Sequence, residues 1–134
     1  MVQHAPLADD LSGMAYIREG LGIVGVNALH HPNRQRFTLA HEFAHHELHA
    51  DILTAEVHVD RGFRVLKRDQ LASEGVDWRE IEANAFAAEL LMPQFLLDTM
   101  MDVGGFDLED DEKLEALARR FRVSASALRF RLLA

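Results

Sequence analysis

Residues 41–49, His-Glu-Phe-Ala-His-His-Glu-Leu-His, contain the pattern H-E-x-x-H. Residues four apart on an α-helix point to nearly the same side, so His41 and His45 can place two imidazole nitrogens on one cation. Glu42 lies one position round the helix, where it can hold a water molecule at the metal and accept its proton. The stretch therefore predicts a helix that carries a zinc site of the hydrolytic kind.

Composition limits the other possibilities. The chain has 134 residues, 49% of them hydrophobic and 27% charged, which is typical of one globular domain over 1–134. It has no cysteine, so histidines and carboxylates remain as the expected protein ligands of a metal. No apolar run reaches membrane-spanning length, and residues 1–10 do not have the pattern of a secretory signal. We expect a cytoplasmic protein without a membrane partner.

The pattern of apolar residues predicts a small sheet and several helices. Residues 14–18 and 22–26 predict two strands joined by a tight turn at Glu19-Gly20. The motif helix is expected to start just after Pro32 and to end near Ala50. Its apolar side at helical spacing is predicted to consist of Phe37, Ala40, Phe43, Ala44 and Leu48.

The second half of the chain predicts another helix over 78–92, which Pro93 ends. This helix is apolar on most sides, which is typical of a central, buried helix. Between the two helices, residues 56–60 alternate like a strand, 63–66 are a candidate for a further strand, and 67–77 are predicted to be polar loop.

A hydrolytic zinc site usually has three protein ligands, so a third must join the two histidines of the motif. His49 lies about 6 Å further along the same helix axis than His45, which favours an outer or structural role for it. Glu80 and Asn84 share a face of the second helix, so Asn84 can orient Glu80 by a hydrogen bond. Glu82 points about 200° away from Glu80 and remains the alternative ligand. For either acid, the plain explanation is a solvated residue in a first helical turn.

Four segments together resemble the ImmA/IrrE family of zinc metallopeptidases. They are the hairpin ending in IVGVN, then RQRFTLAHEFAHHELH, EIEANAFAAELLMP and LARRFRVSASALRFRL. The resemblance implies an α+β, zincin-like domain with one zinc ion per chain, held by His41, His45 and Glu80 in the gluzincin manner. It also implies an intracellular protein that acts on helix-turn-helix repressors as a protease or antirepressor, or that belongs to a toxin–antitoxin pair.

The C-terminal residues 110–134 predict a pair of helices that resembles the start of a helix-turn-helix unit. The chain has a net charge of −8, yet the residues from Lys113 onward hold six Lys or Arg and one acid. DNA contact through this basic tail is therefore conceivable. We favour the interpretation that the pair closes the core, and we expect no direct DNA binding.

These observations predict a small sheet packed with the motif helix and a buried second helix, in a catalytic core over 14–95. The predicted function is that of a zinc-dependent endopeptidase of regulatory type, in which Glu42 acts as general base and then as general acid. Candidates for a donor to the reaction's oxyanion are His46, His49, His58 and Tyr16. One alternative function is a zinc-binding antirepressor or toxin-like protein without catalysis, and another is a DNA-binding regulator.

Overall fold

The computed structural model describes residues 1–8, 10–60, 77–101 and 109–133, which form an α+β fold with four strands and six helices. The strands are β1 (Val2–Ala5), β2 (Gly13–Arg18), β3 (Leu21–Asn27) and β4 (His58–Asp60). The helices are α1 (Pro32–Leu48), α2 (Ala50–Ala55), α3 (Trp78–Leu91), α4 (Gln94–Met101), α5 (Asp111–Phe121) and α6 (Ala125–Leu133). No helix in these ranges is long and apolar enough to span a membrane.

The strands form one mixed sheet in the order β1-β3-β2-β4. β2 and β3 form the predicted hairpin, and their turn has positive φ at both central residues, 53° at Glu19 and 77° at Gly20. Positive φ at both positions is the pattern of a type I′ turn, whose twist matches that of the paired strands. β1 pairs with β3 in parallel, and β4 pairs with β2 in antiparallel orientation. The short strand β4 corresponds to the alternating residues 56–60, while 63–66 and 67–76 lie outside the described residues.

Local signals set the ends of the helices. Pro32 occupies the first turn of α1, and the side chain of His31 accepts a hydrogen bond from the backbone N–H of Asn33. Asp77 caps α3 by accepting from the N–H of Arg79, and the helix ends just before Met92 and Pro93, as predicted. Both long helices therefore begin and end within about two residues of the positions that the sequence predicts.

The prediction of the buried face of α1 was wrong in part. The apolar side proposed for α1 is only partly inside, because Phe43 and Leu48 are 43% and 47% exposed. The buried face of α1 instead includes polar residues, among them Thr38, His41, Glu42 and His45. Helix α3 is buried along the face of Ala83, Ala87 and Leu91, while Leu90 on its flank is 52% exposed. The reason is that α1 packs between the sheet and α3, so its polar motif faces inward while its flank reaches solvent.

The main hydrophobic core joins the C-terminal pair α5 and α6 to the rest of the protein. Its buried members are Ala40, Ala87, Leu91, Met92, Leu97, Leu114, Leu117, Ala118, Phe121, Val123 and Leu128. Ala40 comes from α1 and Ala87 from α3, so the small residues of the two central helices meet the large residues of the pair. Arg36 reinforces this junction by donating to the Phe121 carbonyl oxygen at the end of α5, at 2.6 Å. The apolar faces of the pair therefore serve to close the core.

Candidate metal and active site

The motif residues of α1 lie together in the interior. His41, Glu42 and His45 are exposed by only 1%, 0% and 3%. Buried polar side chains of this kind are costly unless they are partnered, so their surroundings must supply hydrogen-bond partners or a metal ion.

Helix α3 brings a carboxylate to the two motif histidines. Oε2 of Glu80 lies 2.9 Å from Nε2 of His41, and Oε1 lies 3.2 Å from Nε2 of His45. The two Nε2 atoms are themselves 3.2 Å apart. The structure thus brings together the three residues that the sequence analysis named as metal ligands.

A third histidine joins this group from β4. Nε2 of His58 lies 2.5 Å from Oε1 of Glu80, and its Nδ1 lies 3.1 Å from Oε2 of Glu42. One ligand atom from each of His41, His45, His58 and Glu80 lies within 4.8 Å of the others, so the four residues could hold a metal ion. From the sequence, His58 was predicted only as one of four candidates for a donor to the oxyanion. The alternating residues 56–60 predicted its strand, but not the pairing that sets His58 opposite Ala15.

An outer layer of side chains holds the rings of the motif histidines. Nδ1 of His41 lies 2.8 Å from Oδ1 of Asn84. Nδ1 of His45 lies 3.0 Å from Nδ1 of His49, whose Nε2 in turn lies 2.9 Å from Oε1 of Glu82. Asn84 was expected to orient Glu80, but the hydrogen bond of its side chain goes to His41 instead. Glu82, the alternative ligand, contacts His49, and His49 lies between Glu82 and His45.

The remaining oxyanion candidates lie elsewhere. Nε2 of His46 lies 2.9 Å from the Ile23 carbonyl oxygen, so this ring can donate to β3 and tie α1 to the sheet. Tyr16 lines a separate cleft of about 460 Å³ between β2 and α2. Of the four candidates, His58 is the one that contacts both Glu42 and Glu80.

Mutual contacts shift the pKa values of the clustered groups. Burial raises the pKa of Glu80, but hydrogen bonds from His41, His45 and His58 outweigh that effect and hold its pKa far below the usual range. Burial lowers the pKa of His58, yet its bonds to Glu42 and Glu80 raise the net pKa to about 10. Burial lowers the pKa of His41, but its bond to Glu80 and the nearby Asp60 and Glu42 outweigh that effect and raise the pKa. Positive charge on His41 and His58 is therefore favoured by the neighbouring carboxylates.

Glu42 differs from Glu80 in its contacts. Its Oε2 contacts His58, whereas its buried Oε1 has no hydrogen-bond partner among the described residues. A buried carboxylate oxygen without a partner has an open acceptor position. Glu42 can therefore accept a proton or a hydrogen bond from a molecule that enters the site.

Comparison with known proteins identifies the family of this chain. A comparison with curated proteins gave no match. The sequence model of the IrrE N-terminal-like domain, which describes a family of peptidases, matches residues 1–133. This match confirms the resemblance carried by the motif helix, the second helix and the C-terminal pair, and it implies a protein substrate. The chain therefore belongs to the peptidase family of IrrE N-terminal-like domains.

Proposed function

We propose that this protein is a zinc-dependent endopeptidase that cleaves a specific protein partner. The observation that carries the proposal is the meeting of His41, His45 and Glu80 around one point, with the buried Glu42 beside them. Family membership supports a peptidase, and the family resemblance suggests a helix-turn-helix repressor or an antitoxin as the partner. A cytoplasmic location is part of the same proposal.

The donor set suits zinc. Zinc is bound by imidazole nitrogen and carboxylate oxygen at about 2.0–2.2 Å, so two ligands of a tetrahedral ion are about 3.3 Å apart. The Nε2 atoms of His41 and His45 are 3.2 Å apart, and both lie within 3.2 Å of a Glu80 oxygen. These residues would hold one zinc ion per chain with little movement. Asn84 and His49 would fix the ring orientations of the two motif histidines through contacts with their Nδ1 atoms.

In peptide-bond hydrolysis, the zinc ion and the residues of the chain would have different roles. A bound zinc ion would act as a Lewis acid that makes a water molecule more acidic and polarises a peptide carbonyl. Glu42 would accept the proton of the attacking water and deliver it to the nitrogen of the leaving amine. Its buried position keeps bulk water away from this carboxylate.

Replacing Glu42 with glutamine tests the proposal. Glu47 on the same helix is exposed, so Glu47→Gln is the matched control. Each zinc-loaded protein would be incubated with a native cell extract of the source organism, and new protein N-termini would be identified by mass spectrometry. We expect the wild type and Glu47→Gln to generate the same termini. Glu42→Gln should do so roughly 10²–10⁴-fold more slowly, with equal zinc content.

A second function, that of a non-catalytic zinc-binding antirepressor or toxin-like partner, draws support from the four donors around the site. Zinc sites filled by four protein ligands are usually structural. On this alternative, Glu42→Gln would bind and affect the partner as well as the wild type does, and no new N-termini would form with either protein.

A further inference from the structure

The three histidines of the cluster share one arrangement. Each presents Nε2 to the common centre, while its Nδ1 faces an outer side chain. The outer groups are Asn84 for His41, His49 for His45 and Glu42 for His58. Histidines that bind metals usually donate their other ring N–H to an acceptor of this kind, which fixes the ring and makes the ligating nitrogen more basic. His58 thus has the surroundings of a ligand, with a carboxylate as its outer acceptor.

We propose that His58 is a fourth metal ligand, which occupies the fourth coordination position of the metal ion until its ring moves away. The inference rests on the function proposed above and adds regulation to the same site. With His41, His45, Glu80 and His58 all bound, a tetrahedral zinc ion has no position left for water. Hydrolysis then requires one of the four to withdraw.

His58 is the ligand best placed to withdraw. Its side chain is 20% exposed, whereas those of His41 and His45 are 2% and 4% exposed. Glu80 is 29% exposed, but it lies in a helix of 14 residues and contacts all three histidines. His41 and His45 are fixed within a helix of 17 residues, while His58 begins an edge strand of three residues. Short edge strands make few backbone hydrogen bonds and open at lower cost than a helix packed on both sides.

Withdrawal of His58 would also free the second carboxylate oxygen of Glu42. In the closed arrangement Oε2 of Glu42 lies 3.1 Å from Nδ1 of His58 and is therefore engaged by that ring. Movement of one side chain would free both the coordination position and this carboxylate oxygen. Binding of the partner protein beside β4 would displace the His58 side chain directly. Hydrolysis would then be confined to the bound partner.

Metal affinity tests the assignment without any need for a substrate. Zinc affinity would be measured by competition with a chelator for the wild type, His58→Ala, His41→Ala and His4→Ala, where His4 is exposed and serves as the control. We expect His58→Ala to weaken zinc binding at least about 10-fold and His4→Ala to leave it unchanged. Free imidazole should restore the affinity of His58→Ala, because it can take the vacated position. His58→Gln is the second variant, to be used if circular dichroism shows that the alanine variant does not fold.

Cobalt provides an independent measurement, since its visible spectrum reports a change in ligands. Acetohydroxamate binds metal ions that have an open position. We expect it to change the cobalt spectrum of His58→Ala at concentrations at least about 10-fold lower than for the wild type. Wild-type zinc affinity in His58→Ala, together with equal acetohydroxamate sensitivity, would overturn the assignment and leave His58 as a hydrogen-bond donor to Glu42 or to substrate. Absence of tight zinc binding in the wild type would instead contradict the proposed function.

Discussion

Gly13 on β2 and Thr38 on α1 approach so closely that no side chain fits between them. A Cβ at Gly13 would lie 2.6 Å from Cγ2 of Thr38 and 2.7 Å from the Gly25 carbonyl oxygen. It would also lie 3.6 Å from Cγ of Glu42, at ordinary contact distance. The close approach of the sheet to α1 therefore occurs beside the candidate site.

Gly13→Ala is expected to push α1 away from the sheet. Overpacking of a tight contact typically costs about 1–3 kcal/mol, and neither the helix nor the neighbouring strand can move without disturbing the other. Urea unfolding would measure the loss in free energy of unfolding. The control is Gly20→Asn in the hairpin turn, where φ is +77° and no atom lies within 4 Å of the added Cβ. Asparagine tolerates that conformation, so the control should change stability by less than about 0.5 kcal/mol.

Asn27→Ala is expected to destabilise the protein by about 2–4 kcal/mol, because it leaves several backbone groups without partners. The side chain of Asn27 is fully buried. It accepts from the N–H groups of Leu7 and Leu29 and donates to the Leu11 carbonyl oxygen. The free energy of unfolding and hydrogen exchange of the Leu7 and Leu29 amides would check this. A loss below about 0.5 kcal/mol would show that water replaces the asparagine.

Glu80→Ala and Glu82→Ala should differ in their effect on zinc binding. Glu80 contacts the Nε2 atoms of both motif histidines. Among the described residues, Glu82 contacts His49, which in turn contacts His45. We expect Glu80→Ala to lower zinc affinity about 100-fold or more and Glu82→Ala to lower it less than about 10-fold. Zinc stoichiometry after chelation and re-addition, followed by competition titration, measures both effects. The reverse order would assign the third ligand to Glu82.

The metal-free protein should lose stability as the pH rises. The pKa of His58 is raised from 6.5 to about 10, so its contribution is fully present below pH 6.5 and is lost as the pH rises through about 10. Glu80 has a lowered pKa, so its contribution is present above its ordinary pKa of 4.5 and is lost as the pH falls towards its folded value. Stability from these two groups is therefore greatest between about pH 4.5 and pH 6.5.

Urea midpoints in the presence of a chelator, measured at pH 6, 8 and 9.5, would test this expectation. His58→Gln serves as the comparison and should show a shallower decline over this range. An equal decline in both proteins would assign the pH dependence to other groups.

The elements that neighbouring residues in the sequence determine were predicted correctly. The spacing of His41 and His45 and the position of Pro93 predicted the two central helices. Prediction failed for β1, whose four residues are all exposed and carry no pattern of buried side chains. That strand is held by parallel backbone pairing with β3. The side chains of β1 give no signal of this pairing.

The part of the site that was missed depends on contacts between distant segments. His58 reaches the cluster because β4 pairs with β2, and no feature of residues 56–60 indicates where that strand docks. The burial of polar residues on α1 was not predicted for a related reason. Apolar periodicity identifies a helix face that seeks a hydrophobic core, whereas Thr38, His41, Glu42 and His45 face inward through mutual polar contacts and close packing on the sheet.

The core that joins the C-terminal pair to α1 has a consequence for the modularity of this protein. Ala40 belongs to that core, and His41, the next residue along the chain, faces the candidate metal site. We therefore expect that the pair does not behave as an independent unit on deletion or exchange, because a change in its packing alters the contacts of Ala40, which precedes His41. Variation among relatives in this segment would have to arise by compensated substitutions on both sides of the core, so its sequence should evolve together with that of α1 and α3.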